Sequence, residues 1–407
     1  MKVLHLADSL NPAGLGGYEA KLHYLSAELE SLGHESIVVT QSPERDSLEM
    51  IERPHYRLFH LRGNLLEARK WEFLALPEKE RTKAAETLFE PDDLQTNIVA
   101  LVDQLQTPID DIRPDIIHAH STYVVFNRVL ETLRQSKALD SIPLVVSIHG
   151  LPKPLVLPNG ENTTDYEQLS LSMPFDQVLA VSNNVADTLK QHLSPIGLDN
   201  RVVTLHNGVD LSVFYPQRNP IKRWDLAFLG RLETMKSVDL FPEMLARLRR
   251  VFPELRMVIT GEGSYKIKLL NELDRLGVSD LVDYLGVVET ERVPELINNS
   301  RVFMYPSRRE PFGLSIIEAM ACGIPVVTTN VFGPSEIITH CHDGFTVSPD
   351  NIDELVDAVQ MLLSDSELQM KLGLNARKTV EARFDLKQHT EQLLTIYNDL
   401  IDQICEK

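Results

Sequence analysis

The chain has little cysteine, no long apolar run and a deficit of positive charge, and each absence removes a class of function. Its three cysteines, Cys322, Cys341 and Cys405, are scattered and odd in number, so they build neither a disulfide framework nor a spaced zinc site. No stretch approaches the ~18 apolar residues that span a bilayer. The opening M-K-V-L-H-L-A-D-S-L reads as a buried strand, too short in its apolar run for a signal peptide, and a cytoplasmic location is expected. With 40 Lys and Arg against 59 Asp and Glu, the formal net charge is -19. That argues against nucleic acid as a partner and leaves peripheral membrane contact only to a local basic patch. The glycines after the first strand, Gly14, Gly16 and Gly17, are spaced wrongly for G-x-G-x-x-G, which counts against a nicotinamide dehydrogenase. There is no internal repeat and no low-complexity tract.

At 407 residues the chain exceeds one ordinary core, so two domains are expected. Its 43% apolar and 24% charged content is that of a globular protein. The opening reads as strand (3–6), glycine turn (12–17), helix (18–32), a stop at Gly33 and strand (36–40), a βαβ unit with parallel strands. Apolar runs at 116–118, 144–148, 178–181 and 202–205, separated by helical stretches, extend it into a doubly wound sheet. Residues 64–106, rich in Glu, Lys, Leu and Ala, read as a helical insertion, and 207–223, dense in turn formers and proline, as a linker. A second βα series follows at 226–229, 256–260, 282–285, 302–305, 325–329 and 346–347, then amphipathic helices at 353–363 and 386–405. The fold class is α/β, two open parallel sheets with ligand at the strand ends.

The most informative stretch is 307–325, S-R-R-E-P-F-G-L-S-I-I-E-A-M-A-C-G-I-P. Glu310 and Glu318 stand eight residues apart, about two and a quarter helical turns. Pro311 and Gly313 put the first in the loop leading to a helix and the second within it. The amides of Phe312, Gly313 and Leu314 at that helix start make an anion site, so a carboxylate on each side could grip hydroxyls flanking a phosphate. Alternatively, Glu310 is a loop carboxylate and Glu318 a solvated helix residue. Arg231 and Lys236 lie five apart after the strand 226–229, where a phosphate commonly binds. The turn 12–17 would let a phosphate approach the backbone, or it is a plain strand–helix turn. D-I-I-H-A-H-S and S-I-H-G bring His118, His120 and His149 to strand ends, where a lone histidine is more often packed or hydrogen-bonded; His118 is read as packing inward. His340 and His342 flank Cys341 before a turn, with no third ligand nearby, and are read as a surface turn.

The string E-P-F-G-x-x-x-x-E-A-M-A-C-G-x-P resembles the Glu-x7-Glu motif of retaining glycosyltransferases of family 4, which use nucleotide sugars. Gly16-Gly17-x-Glu19 and Gly230-Arg231-Leu232-x-x-x-Lys236 resemble two further motifs of that family, with Ser237 where glycine is usual. T-G-E-G-S around Gly261 and L-G-V-V ending at Val288 resemble the segments beneath the nucleotide and along its base. The resemblance implies the GT-B fold, two Rossmann-like doubly wound domains facing each other across a cleft. An N-terminal acceptor-binding domain would span 1–206 with the insertion at about 64–106, followed by a linker at 207–223. A nucleotide-sugar domain would span 224–385, and a helix at 386–407 would cross back to the first domain. It further implies transfer of a sugar, with retained configuration, from a nucleotide-diphosphate sugar (a UDP-sugar foremost) to a hydroxyl of a small molecule or glycan. Catalytic roles then fall on Glu310, His149, Arg231 and Lys236. Donor contacts fall on Gly16, Gly17, Arg231, Lys236, Gly261, Val288, Glu310, Phe312, Gly313, Leu314 and Glu318, with His120 on the acceptor side. Glu310 would hold sugar hydroxyls and Glu318 the ribose. No cofactor and no metal are expected, since no Asp-x-Asp pair occurs and the two cations can supply the charge. A GT-B-fold UDP-sugar 2-epimerase and a non-catalytic sugar-nucleotide-binding protein are the alternatives.

Overall fold

The structure is a computed structural model that describes residues 1–7, 17–41, 49–62, 91–120, 124–156 and 162–406. The chain divides into two units, one holding the start of the chain, Leu22–Leu205 and Thr390–Lys407, the other His206–His389 with, among the described residues, 17–21. The first is built on β1 (Lys2–Ala7), β2 (Glu35–Gln41), β3 (Glu49–Arg53), β4 (Tyr56–Leu61), β5 (Ile116–His120), β6 (Leu144–Ile148), β9 (Gln177–Ala180) and β10 (Val202–Thr204). A separate hairpin joins β7 (Pro154–Val156) to β8 (Asn162–Thr164). The large sheet runs β10-β9-β6-β5-β1-β2-β4-β3, parallel except for the β3–β4 hairpin at its edge. That hairpin is absent from the sequence reading because β3 alternates half-buried and exposed residues and carries no apolar run.

Helices cover this sheet through apolar stripes. In Pro91–Ile112 the buried aliphatic side chains among those described are Ile98, Leu101, Leu105, Ile109 and Ile112, three or four apart, so one face is dry. This helix holds the end of the expected insertion; residues 64–90 lie outside the described residues. The helix Leu386–Cys405 closes the first unit: Leu393, Tyr397 and Leu400 pack with Val3, Leu25, Leu29, Ile116, Val145 and Leu179.

The second unit is built on β11 (Trp224–Leu229), β12 (Met257–Thr260), β13 (Val282–Gly286), β14 (Ser300–Tyr305), β15 (Val326–Thr329) and β16 (Phe345–Val347). Its order is β13-β12-β11-β14-β15-β16, all parallel. The central strands read as unbroken apolar runs because both faces are covered: Leu226, Ala227, Phe228, Val302, Phe303, Met304, Val326 and Val327 are fully buried. Strand order reverses between β11 and β14, and in such sheets ligands bind beyond the carboxyl ends at that reversal. The segment 207–223, expected as a linker, packs into this unit instead. Phe214 is buried, Val209 bridges Asp385, and the Asn298 amide donates to the Tyr215 carbonyl at 3.1 Å and accepts from the Gln217 N–H at 2.9 Å.

Candidate active site

Two loops meet at the strand reversal of the second unit, one after β11 and one after β14. The first carries Arg231 and Lys236; Tyr305 ends β14, and the loop after it carries Glu310. The Lys236 ammonium is ion-paired to the Glu310 carboxylate and donates to the Tyr305 hydroxyl at 2.9 Å, lying 4.8 Å above that ring. Both charged side chains are nearly buried, at 9% and 10% exposure, so each is the other's main compensation. Burial opposes the Lys236 charge, but Tyr305 and Glu310 outweigh it and its pKa is raised. Burial first, then Glu310, pushes the Tyr305 phenol up to about 12. Arg231 is exposed, and its guanidinium meets no partner among the described residues.

Arg308 ties the two loops together. Its guanidinium grips Asp239 through two bonds of 2.7 and 2.8 Å and donates to Asp350 at 2.6 Å, while its backbone N–H donates to the Met235 carbonyl at 2.8 Å. The turn at Thr234–Lys236 then ends on Ser237 in the left-handed region, φ 54. The glycine usual in the family would take that conformation without strain. Next to it, the β12 end is locked by contact: a Cβ on Gly261 would come 2.0 Å from the Gly230 carbonyl oxygen, so only glycine fits. The Gly261 N–H donates to the Gly286 carbonyl at 2.7 Å, bringing the segment before Val288, itself half-buried, alongside.

Glu310 stands in the loop and Glu318 in the helix Leu314–Ala321, whose N-cap is Gly313 at φ 112. This is the arrangement expected from the Pro311 and Gly313 signals. The Glu310 carbonyl accepts from Gly333 at 3.1 Å, and Phe312 is buried against Phe384 and His206. Glu318 is half-buried, with no hydrogen-bond partner for its carboxylate among the described residues. Burial pushes that carboxyl up to about 7, since the charged form is disfavoured away from water. Gly17 opens the helix Gly17–Ser31; Gly16 lies outside the described residues.

In the first unit, His120 ends β5 and His149 directly follows β6. Their rings stack with centroids 5.8 Å apart. His118 does pack inward: its Nδ1 faces the Tyr397 hydroxyl at 2.5 Å and its Nε2 the Ser147 hydroxyl at 2.8 Å. His5, on β1, adds a third buried imidazole that the sequence reading missed, its Nδ1 3.0 Å from His120 Nε2. The parallel pairing of β1 with β5 aligns His5 with His118, a register hidden in the sequence. Nitrogens of His5, His118 and His120 lie within 4.8 Å of one another, as in a metal site. Both nitrogens of His118 already face hydroxyls, however, so an ion would have to displace one of them. Tyr305 was also missed, although its place at the end of β14, beside the strand reversal, could have marked it. His340 accepts from the Thr346 N–H at 3.1 Å within its own turn, as a surface turn would have it.

Two family models match the chain side by side: Glycosyltransferase Family 4 over residues 15–213 and Glycosyl transferases group 1 over residues 214–379. N-acetyl-alpha-D-glucosaminyl L-malate synthase of Bacillus anthracis is 25% identical over 70% of this chain and 75% of its own. Among solved structures, sucrose-phosphate synthase from Thermosynechococcus elongatus matches with a TM-score of 0.79 at 20% identity, over 99% of both chains. The Anabaena protein HepE in complex with UDP-glucose matches at 0.68 and 18% identity, over 98% of this chain and 100% of that one. These likenesses establish the GT-B fold.

Proposed function

The chain belongs to the family-4, group 1 glycosyltransferases, and from that premise we propose that it moves a sugar from a UDP-sugar to a hydroxyl of a small molecule or glycan, with retained anomeric configuration. The observation that carries this reading is that the loop after β11 holds both an exposed cation, Arg231, unpartnered among the described residues, and Lys236, buried with Glu310 and Tyr305 at the strand reversal. The departing nucleotide diphosphate is the charge that must be stabilised. Arg231 supplies a two-pronged donor, Lys236 a fixed point charge and the amides at the start of Leu314–Ala321 a positive helix end. When the diphosphate enters, Lys236 exchanges part of its ion pair for phosphate oxygens. Glu310 is then released to hold hydroxyls of the sugar, and Glu318 holds the ribose. The diphosphate oxygen assists deprotonation of the acceptor, and no metal is required. His149 stands beside the sugar and His120 on the acceptor side. HepE, bound to UDP-glucose in its solved structure, supports UDP over GDP and ADP. An epimerase is not favoured, since the family models are those of transferases. Cytoplasmic residence completes the proposal.

Thermal shift against UDP-, GDP- and ADP-sugars tests the donor, because ligand at a hundred times its Kd adds about 2.7 kcal/mol. UDP-sugars should give the largest shift. Label should then pass from the donor to an acceptor in excess chelator, and proton NMR should show the donor's anomeric coupling retained. Activity lost to chelator and restored by magnesium contradicts the metal-free mechanism; an inverted anomer contradicts retention.

A further inference from the structure

The loop that carries Glu310 is held from a side that the reaction as described does not use. Phe312, two residues on, is buried and sits in a triangle of rings. His206 stacks on it with centroids 5.8 Å apart and planes 27° apart, and Phe384 meets it edge-on at 5.7 Å. His206 and Phe384 are themselves 5.8 Å apart. A further wall is backbone. A Cβ on Gly333 would lie 2.3 Å from the Phe312 Cα and 2.5 Å from the Pro311 carbonyl oxygen, so only glycine allows this approach. The Gly333 N–H donates to the Glu310 carbonyl at 3.1 Å.

The helix Phe332–Ile337, which follows β15, closes the ring of contacts. Glu336, one turn beyond Gly333, places a carboxylate oxygen 3.1 Å from His206 Nε2. A carboxylate only accepts, so His206 donates there. The Arg383 guanidinium donates to the Glu336 carbonyl at 2.7 Å and lies 4.7 Å from the centre of the Phe384 ring. His389 Nδ1 donates to the His206 carbonyl at 2.7 Å. The entry to this helix is strained, with Phe332 held at φ 36, a region that bulky side chains avoid. Such strain persists only where surrounding contacts over-determine it, and the contacts here are those of Gly333 and Glu336.

We infer that His206 and Glu336 are positioning residues: through Phe312 they fix the backbone from which Glu310 reaches the transferred sugar. This rests on the proposed exchange at Glu310 and deepens it. That carboxylate must leave Lys236 for sugar hydroxyls when the donor enters, and it can re-pair accurately only from a backbone that stays in place. The diphosphate is held from elsewhere. Arg231 and Lys236 stand on the loop after β11, and the helix Leu314–Ala321 is anchored by its own buried Ile316, Ile317 and Met320. Loosening Phe312 therefore weakens the hold on the sugar more than the hold on the diphosphate.

Hydrogen exchange of the full chain without ligand reads the loop. Calorimetric binding of UDP, UDP-glucose, UDP-galactose and UDP-N-acetylglucosamine reads the sugar. Glu336→Leu should speed exchange at 310–314 about tenfold and leave β11 and β14 unchanged. Its Kd for the tightest-bound of the three UDP-sugars should rise about tenfold, and its Kd for UDP about threefold or less. Glu336→Gln, which can still accept from His206, should restore both. Unchanged exchange at 310–314 in a folded Glu336→Leu chain overturns the inference. So does equal weakening of UDP and UDP-sugar, or a Glu336→Gln chain that behaves like Glu336→Leu. If Glu336→Leu does not fold, His206→Phe, which keeps a ring against Phe312 and removes only the bond, carries the same expectations. All of these can fail while the parent chain still binds its UDP-sugar. A parent that binds no UDP-sugar more tightly than UDP would instead overturn the proposed grip of Glu310 on the sugar, and this inference with it.

Discussion

Arg231 and Lys236 lie five residues apart and share a charge, but their surroundings differ, and so should the consequences of removing them. Arg231 is exposed and unpartnered among the described residues, so Arg231→Ala should leave stability within about 0.5 kcal/mol. It should raise the donor KM roughly tenfold to a hundredfold, as a lost charge-assisted bond to phosphate would. Lys236→Ala strands the buried Glu310 carboxylate; it should cost about 3 kcal/mol of stability and lower turnover about a hundredfold. Urea melts with steady-state kinetics separate the two, and equal stability losses would contradict the burial argument. Glu318 offers a pH test. Its folded pKa, about 7, stands above the ordinary 4.5, so as pH rises the unfolded chain ionises first. Stability therefore declines from about pH 4.5 to 7 and stays reduced above. Glu318→Gln should match the parent near pH 4 and exceed it near pH 8 by about 1–2 kcal/mol, less than the full shift because the side chain still meets solvent. A constant offset between the two melts across that range would place the Glu318 pKa in the ordinary range.

At the scale of elements, regular pieces were legible and irregular ones were not. Each central strand announces itself as an apolar run, since both faces of a parallel sheet are covered. The edge strand β3, alternating half-buried and exposed residues, carries no such run. The turn at Thr234–Lys236 is the instructive middle case. A departure at Ser237 from the usual glycine was visible in the sequence, and the structure gives its meaning: a non-glycine residue held at φ 54, with a buried hydroxyl that finds no partner among the described residues. Ser237→Gly should stabilise the chain by about 1 kcal/mol, the relief of left-handed strain and of the unmet hydroxyl exceeding the entropy that glycine loses. Chemical denaturation reads this directly. A destabilised variant would mean that the turn's neighbours, and not its backbone, set its conformation.

For the whole molecule, the last helix matters more than its polar surface suggests, because Leu393, Tyr397 and Leu400 belong to the core of the first unit. Ending the chain at His389 should cost that unit about 5 kcal/mol, from three side chains worth about 1.5–3 each, and leave the transition of the second unit in place. Two resolved calorimetric transitions, only one of them moved, would bear this out; a single unchanged transition would overturn it. Read alone, the chain already carries two βα series, the parallel sheets, the helix bearing Glu318 and the paired cations. All of these rest on local periodicity, on turn chemistry and on spacing within a few residues. Tertiary structure alone decides which distant groups become partners. Nothing in the spacing says that Lys236 and Tyr305, 69 residues apart, share a hydrogen bond, or that Tyr397 reaches back to His118 across 279 residues. Nor does it say that His5 meets His120. Such pairings follow from strand order and register, which are settled by how whole sheets bury their faces and not by any short stretch of side chains.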